Sequence, residues 1–523
     1  MLSSLTNQFS DKLTSKKSWR LACILFLGFA SGLPLALTGQ AMQAWLTMEK
    51  IDIATIGFFS LVGLPYTFKF LWAPLMDRFE PPLFGRRRGW LVLSQISIAL
   101  ALVLLSTFSP SQNTQTFALV ALLIAFLSAS QDIMIDAYRT DILQTSERGN
   151  GASLGVLGYR LAMILSGGIT FVWADANGNN WPWSKIYLVM AGIMTAASVI
   201  SLLFLPKVSA NNKAPTTNAK NDLIGFFALV IAVVIGYQFT TRLATPLVEK
   251  FFDTTIANNK KWIDMISFFT GLGITLPLAW FASQKAKFET LNISLKNYFS
   301  TKGAVSFLAL IILYKLGDSF TGTLLTPFLI KGVGFTTAEI GVVNKVIGMW
   351  LTIGGALLGG VIMARWGLFK SLFIFGILQM ISNLSFWWLA LSGKGAWGSF
   401  SLPAFDIVIA SLKEATQIDW LLLFSIASEN ITGGMGTAAF VAFLMALCNQ
   451  KFSATQYALL SSLSAVGRVF VGPVAGVLTD VIGWSQFFIF STLMAVPGIF
   501  MLYKMKAQIE NLETPKDFSA ADD

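Results

Sequence analysis

The chain has 523 residues, of which 54% are hydrophobic and 12% are charged, and its formal net charge is +10. Soluble domains carry about 25% charged residues, so this composition excludes an ordinary soluble protein, and the basic residues lie in short loops between apolar runs, which does not indicate nucleic-acid binding. The chain contains no histidine, so any proton transfer near neutral pH falls to carboxylates, and we expect neither a metal site nor another cofactor.

Apolar runs of about 20 residues, the length of a membrane-spanning helix, recur along the chain. They predict six spans near 20–45, 54–76, 90–108, 115–138, 149–173 and 185–205, two more near 222–245 and 262–282, and six near 303–330, 337–363, 370–391, 418–447, 455–479 and 485–503. Such long runs do not fit the alternating pattern of a membrane β-barrel. We therefore predict an all-α polytopic membrane protein with fourteen spans.

These spans divide the chain into segments of different character. We expect an N-terminal six-helix half at 1–205, a cytoplasmic linker at 206–221, two additional spans and a loop at 222–302, a C-terminal six-helix half at 303–505 and a polar tail at 506–523. Lysine and arginine are concentrated in the loops on one side, which predicts that both termini are cytoplasmic. A weak repeat, Ala54-Thr55-Ile56-Gly57 and Ala338-Glu339-Ile340-Gly341, suggests two related halves, as in rocking transporters.

Span 1 is interrupted by glycines and by Pro34. Glycine and proline can kink a span so that freed backbone carbonyls line a cavity. Gln40 and Gln43 could then bind sugar or peptide groups, and Trp45 could stack on a sugar ring. The alternative, which we favour for Trp45, is a place in the aromatic belt at the membrane interface.

Lys69 stands in an otherwise apolar stretch of span 2. A charged ammonium inside the membrane costs about 3 kcal/mol or more, so it normally faces a partner or a water-filled path. This position predicts a transporter rather than a passive anchor.

The loop after span 2 contains Asp77-Arg78 and, after a proline-rich insert, Gly85-Arg86-Arg87-Arg88-Gly89. It resembles the loop signature of the major facilitator superfamily, Gly-x-x-x-Asp-Arg-x-Gly-Arg-Arg, although Ala73 replaces the first glycine and four extra residues precede Gly85. The alternative is an arginine cluster that only sets topology. The resemblance implies the major-facilitator fold of two six-helix bundles, here with two extra central helices.

Span 4 ends in a cluster of charged residues. Asp132 and Asp136 lie one helical turn apart and share a face, and two carboxylates in a low dielectric repel, which favours a proton on one of them. Alternatively, Asp136 and Asp141 hold the loop arginines in a static gate, the role that we favour for these two; for Asp132 both roles stay open. The predicted cytoplasmic gate comprises Asp77, Arg78, Arg86, Arg87, Asp136, Arg139, Asp141 and Arg365.

Other polar residues are predicted deep in the membrane. Arg160 lies roughly 16 Å deep at a rise of about 1.5 Å per residue, and Lys315 with Asp318 and Glu429 with Asn430 reach similar depths. Lys315 and Asp318 could equally form a structural pair, but the excess of buried cations suits an anionic solute. The predicted substrate contacts are Gln40, Gln43, Trp45, Lys69, Gln131, Arg160, Lys315, Glu429 and Asn430, and the predicted proton-coupling residues are Asp132, Asp318 and Glu429.

No motif indicates catalysis. The sequence contains no Gly-rich phosphate loop with its lysine, no Cys/His cluster and no nucleophile elbow. We therefore expect a protein that is not an enzyme and that uses an ion gradient.

Two segments carry a more specific resemblance. Residues 65–78 and 131–139 are similar to the signatures of the AmpG-type muropeptide permeases, which contain Pro-Tyr-x-x-Lys-x-Leu-Trp-Ala-Pro-Leu-x-Asp-Arg and Gln-Asp-Ile-x-Ile-Asp-Ala-Tyr-Arg. The resemblance implies a monomer in the bacterial inner membrane. It would import GlcNAc-1,6-anhydro-MurNAc and its peptides with protons from the periplasm, for peptidoglycan recycling and the linked β-lactam resistance.

Two alternatives stay open. Eukaryotic acetyl-CoA transporters share a related Pro-x-x-x-Lys-x-Leu-Trp-Ala-Pro pattern, so the chain could carry another anion such as acetyl-CoA or a small peptide. The two extra central spans could instead belong to a non-transporting membrane sensor or scaffold. The expected partners are an anhydro-muropeptide, protons and membrane lipid, without nucleic acid.

Overall fold

The computed structural model describes residues 16–73, 76, 81, 85–143, 147–206, 219–252, 257–289, 292, 293, 296, 299, 300, 303–407, 410–447, 460 and 462–512. Helices dominate these residues. The chain divides into two compact units, of which the first comprises 1–170 with 181–304 and the second comprises 171–180 with 305–523. The five segments expected from the sequence stay a prediction.

The first part of the chain forms twelve helices among the described residues. They are α1 (Lys17–Leu37), α2 (Gln40–Met48), α3 (Ile53–Phe58), α4 (Leu64–Phe68), α5 (Arg86–Ser106), α6 (Thr114–Ile142), α7 (Arg148–Ile164), α8 (Thr170–Ala174), α9 (Trp183–Phe204), α10 (Ala219–Phe239), α11 (Thr245–Glu249) and α12 (Ala257–Lys285). Two 3-10 segments, Phe59–Gly63 and Lys69–Leu71, and two π-helical segments, Leu165–Ile169 and Thr240–Ala244, lie between them.

The remainder forms nine helices and four strands among the described residues. They are α13 (Ala304–Tyr314), α14 (Leu316–Thr323), α15 (Leu325–Pro327), α16 (Thr337–Ile340), α17 (Gly348–Trp366), α18 (Leu368–Ser392), β1 (Ser399–Leu402), β2 (Phe405–Ile407), β3 (Ala410–Leu412), β4 (Thr416–Asp419), α19 (Trp420–Ala446), α20 (Val466–Lys504) and α21 (Lys506–Glu510). The π-helical segments Phe328–Val333 and Gly341–Ile347 precede α16 and α17. The strands pair antiparallel as β1 with β4 and β2 with β3.

Glycines bring α1 and α7 into backbone contact in the first unit. A Cβ added at Gly28 would fall on the Gly155 carbonyl oxygen, and one added at Gly158 would fall on the Leu25 carbonyl oxygen. Small residues allow this close approach of membrane helices. Gly28 therefore serves packing, and α1 runs without interruption through Pro34 and ends at Leu37, while Gly39 lies at the break before α2.

The second unit packs by the same principle. Helix α17 contacts α19, and α18 contacts both α19 and α20. A Cβ added at Gly355 would meet the backbone of Ile431, and one added at Gly434 would meet that of Thr352. The extended contact between these helices places the polar residues of α18 and α19 close together.

The segment 171–180 belongs to the second unit through a set of hydrogen bonds. The Asp175 carboxylate accepts from Thr337 Oγ1 at 2.9 Å and from the Ala338 N–H at 2.8 Å, at the start of α16. The Asn177 side chain accepts from the Glu414 N–H at 3.0 Å and donates to Thr416 Oγ1 at 3.2 Å. These contacts fix the segment against α16 and the start of β4.

Twelve segments among the described residues are long and apolar enough to cross a membrane. One of them, Ser462–Lys504, has 43 residues and contains a break at Gly483 (φ 79°), where the sequence predicts two spans. Helix α19, with 27 residues, is not among the twelve, since Glu429, Asn430 and adjacent glycines lower the hydropathy of its middle. The multi-pass all-α fold is confirmed, and the number fourteen stays a prediction.

Candidate functional site

Asp132 is the centre of a polar cluster in the first unit. It lies half-buried on α6, and Ser31 of α1 donates a hydrogen bond from its hydroxyl to Oδ1 at 2.5 Å. Its carboxylate also interacts electrostatically with Lys69 and with the buried hydroxyl of Tyr66. The cluster joins α1, α4, α6 and the short helix at Lys69, so it combines a carboxylate with donors from several elements.

Lys69 and Arg139 lie on either side of Asp136. The Lys69 Nζ to Asp136 Oδ2 distance is 3.9 Å, and the Arg139 Nη2 to Asp136 Oδ1 distance is 3.0 Å. The Asp136 side chain is 56% exposed, and exposed pairs of this kind contribute only about 0–1 kcal/mol. The pair with Asp136 therefore contributes little to the placement of Lys69, which also interacts electrostatically with Asp132.

Arg87 and Asp141 form a tighter pair. The Arg87 Nε to Asp141 Oδ2 distance is 2.8 Å, and the two side chains are 3% and 4% exposed. A second buried pair joins Arg20 of α1 to Glu147, with hydrogen bonds of 2.9 and 2.5 Å. This pair was not predictable from the sequence, because Arg20 and Glu147 are 127 positions apart and no local spacing relates them.

The other residues of the expected gate are only partly described. Asp77 and Arg78 lie outside the described residues, the Arg86 side chain is not described, and Arg365 is exposed on α17. The gate as a whole therefore stays a prediction.

Trp45 lies in the interior of the first unit. It is 4% exposed and packs against Phe117, Trp183 and Tyr187, with ring centroids 5.1, 6.5 and 5.1 Å away. Protein rings surround it, so this geometry supports neither sugar stacking nor an interfacial belt position.

The remaining expected contacts of the first unit differ in their surroundings. Gln40 and Arg160 are half-buried, and Gln43 is 8% exposed. Gln131 is fully buried, and its amide nitrogen and oxygen make no hydrogen bond among the described residues. A buried amide without partners is costly, so Gln131 is the strongest of the amide candidates for a polar ligand.

Lys315 and Asp318 form the first polar cluster of the second unit. The Lys315 Nζ to Asp318 Oδ2 distance is 3.3 Å, with side chains 16% and 25% exposed. Gln379 of α18 donates from Nε2 to the other carboxylate oxygen of Asp318. The Lys315 ammonium also stands 5.5 Å from the Phe440 ring centroid. The expected pair exists, and a third helix contributes a partner that the sequence analysis missed.

Glu429 and Asn430 form the second cluster. Asn430 Nδ2 donates to Glu429 Oε2 at 2.9 Å, and Thr352 Oγ1 donates to Asn430 Oδ1 at 2.7 Å. Glu429 also interacts electrostatically with Asp318 and with Lys345, which is 4% exposed on the π-helical segment before α17. The two carboxylates therefore belong to one connected set of charges.

The sequence contains a partial indication of the partners of Asp318 and Glu429. Gln379 and Lys345 are polar residues inside apolar runs, but their contacts with Asp318 and Glu429 depend on which helices are neighbours. Chemically, each unit offers carboxylates that can bind a proton and lysines that can bind an anion. No group of three or more metal-ligating side chains occurs in the part of the chain that the structure describes.

Comparison with known proteins agrees with this architecture. Residues 24–412 match the sequence profile of the Major Facilitator Superfamily. Among solved structures, a POT family transporter in complex with 5-aminolevulinic acid covers 94% of this chain, with a TM-score of 0.63, 15% sequence identity and 96% of its own chain covered. A D-xylose-proton symporter covers 93% of this chain and 97% of its own, with a TM-score of 0.56 and 10% identity. These identities show the fold alone.

Sequence relatives are closer. The anhydromuropeptide permease of Escherichia coli (strain K12) is 41% identical over 500 residues, which cover 95% of this chain and 82% of that protein. A putative transporter AmpG 4 of Rickettsia conorii is 30% identical over 496 residues, which cover 94% of this chain and 98% of that protein. The chain therefore belongs to the major facilitator superfamily and, within it, to the family of the anhydromuropeptide permeases.

Proposed function

We propose that this chain imports anhydro-muropeptides, GlcNAc-1,6-anhydro-MurNAc and its peptides, from the periplasm to the cytoplasm for peptidoglycan recycling. The observation that carries the proposal is the 41% identity to the Escherichia coli anhydromuropeptide permease over 95% of this chain. The protein would act as a monomer in the bacterial inner membrane, with both termini in the cytoplasm and without enzymatic activity.

The polar clusters support an anionic solute with sugar groups. The carboxylates of a lactyl-peptide suit Lys69 and Lys315, whose side chains are 23% and 16% exposed, because lysines at this depth normally face a charged partner or a water-filled path. Sugar hydroxyl and acetamido groups suit Gln131, whose buried amide makes no hydrogen bond among the described residues. Gln40, Gln43, Arg160, Glu429 and Asn430 are further proposed contacts.

Protons are the proposed driving ion. The chain has no histidine, so proton coupling falls to membrane carboxylates, for which we propose Asp132, Asp318 and Glu429. Asp132 accepts one hydroxyl hydrogen bond and lies near Lys69, and Asp318 and Glu429 interact with each other. Arg87–Asp141 and Asp136–Arg139 are the pairs that we assign to the cytoplasmic gate.

Uptake into proteoliposomes tests the proposal. Labelled anhydro-disaccharide tripeptide should accumulate when the lumen is more alkaline than the medium, and the accumulation should disappear without the pH difference. Unlabelled acetyl-CoA should not compete. Uptake of acetyl-CoA without any uptake of the muropeptide would reject the muropeptide as the substrate. Reconstituted protein that moves no solute under any gradient would favour a sensor or scaffold.

A further inference from the structure

Gln379 lies where three helices of the second unit meet. It is 7% exposed in the middle of α18, and its Nε2 donates to Asp318 Oδ1 on α14. The Lys315 Nζ lies 3.3 Å from the other carboxylate oxygen of Asp318, Oδ2. One oxygen of Asp318 therefore has a partner on a neighbouring membrane helix, and the other has a partner one turn away along the chain.

One glycine of α19 makes room for the Gln379 amide. A Cβ added at Gly436 would lie 2.8 Å from Gln379 Oε1, which is too short for any carbon side chain unless the amide moves. A Cβ added at Gly433 would lie 3.4 Å from Nε2, an ordinary contact distance. Gly436 thus leaves space for Gln379 in the orientation in which its amide donates to Asp318.

The elements packed around Asp318 contribute further polar groups. Tyr314 at the end of α13 and Glu429 of α19 both interact with it electrostatically. Helix α20 contributes Ser491, a neutral hydroxyl, which donates to the Gly317 carbonyl at 2.9 Å. Gln379 is a neutral donor that forms a hydrogen bond directly with the Asp318 carboxylate. Loss of Gln379 therefore removes one hydrogen bond to this carboxylate and leaves the net charge unchanged.

We infer that Gln379 is a positioning residue for Asp318, held in place by the absence of a side chain at Gly436. Because an amide N–H that donates to a carboxylate stabilises the charged form, we expect a variant without this donor to take up a proton at a higher pH than the unmodified protein. The inference rests on the proposed proton-coupled transport and adds to it a residue that acts through Asp318.

The pH dependence of uptake in the full-length protein tests the inference. Gln379→Met keeps most of the side-chain volume and removes the donor. Uptake by this variant should reach half of its maximum at a pH about one unit higher than in the unmodified protein, the size expected for one hydrogen bond to a charged group. Gln95→Met, which removes a fully buried glutamine of the first unit, should leave the profile in place.

A second variant tests the same inference in case Gln379→Met does not fold. Gly436→Ala pushes a methyl group onto the Gln379 amide and should shift the profile in the same direction by a smaller amount. Gly360→Ala, at a position with no atom within 4 Å of the added Cβ, is its matched control.

The outcomes separate the two proposals. A uniform fall in uptake with an unchanged pH profile in both Gln379→Met and Gly436→Ala would overturn the positioning role and leave proton coupling intact. Uptake by the unmodified protein that ignores pH altogether would instead overturn the proposed coupling. A shift that persists when Asp318→Asn is combined with Gln379→Met, measured as solute exchange, would also reject Asp318 as the residue affected.

Discussion

Buried and exposed ion pairs at the end of α6 should respond differently to the loss of one partner. Asp141→Ala removes the carboxylate that pairs with the Arg87 guanidinium, which is 3% exposed, and removal of one member of a buried pair costs about 3–5 kcal/mol. Asp136→Ala removes a carboxylate that is 56% exposed and should change stability by less than about 1 kcal/mol. Denaturant unfolding in detergent measures both values, and equal losses would contradict this ranking.

Asp132 is the residue at which proton coupling and solute movement can be separated. Asp132→Asn keeps the size of the side chain and an acceptor for the Ser31 hydroxyl, but it cannot bind and release a proton. We expect gradient-driven uptake to disappear and solute exchange across the membrane to persist in part. Ser31→Ala, which removes the donor of the 2.5 Å hydrogen bond but keeps the carboxylate, is the matched comparison.

An equal loss of uptake and exchange in Asp132→Asn would exclude a role in coupling alone. It would then favour the static-gate interpretation that the sequence left open for this residue. Retention of exchange in Ser31→Ala would show that the hydroxyl is not required to keep the cluster assembled.

At the scale of the helix, glycine contacts decide which neighbours pack. Gly158→Ala places a methyl group on the Leu25 carbonyl of α1 and must push α7 away, since backbone cannot move as a side chain can. Overpacking of this kind costs about 1–3 kcal/mol. Gly192→Ala on α9, where the added Cβ meets nothing within 4 Å, should be neutral or slightly stabilising.

Thermal unfolding of the purified protein in detergent compares the two substitutions. A lower melting temperature for Gly158→Ala and an unchanged one for Gly192→Ala are expected. If both variants melt like the unmodified protein, α1 and α7 are not in backbone contact in the membrane.

At the scale of the whole molecule, cysteine labelling tests the predicted membrane topology. The predicted fourteen spans, with both termini predicted to be cytoplasmic from the lysine and arginine bias, would place the linker 206–221 on the cytoplasmic side and the loop 392–417 on the periplasmic side. A membrane-impermeant thiol reagent should label Lys413→Cys in spheroplasts, and it should label Lys220→Cys only after the membrane is opened. The background should carry Cys23→Ser and Cys448→Ser, and the reverse labelling pattern would contradict the predicted side of both positions.

Hydrophobic length and charge were sufficient to predict a multi-pass helical membrane protein, and the resemblance of the loop after span 2 to a known signature implied the major-facilitator type. Motifs at 65–78 and 131–139 identified the family, because they depend on residue types at fixed spacing along one element. The pairs Lys315–Asp318 and Asp136–Arg139 were predictable for the same reason: three residues along a helix bring side chains onto one face.

Contacts between different helices could not be predicted from the sequence. Gln379 with Asp318, Arg20 with Glu147, and Ser31 with Asp132 are residues 61, 127 and 101 positions apart, and no periodicity relates them. The burial of Trp45 among other aromatic rings and the space that Gly436 leaves for the Gln379 amide follow from helix packing. Local spacing specifies what a helix presents on each face, whereas the neighbour that meets this face is selected by packing of the whole bundle.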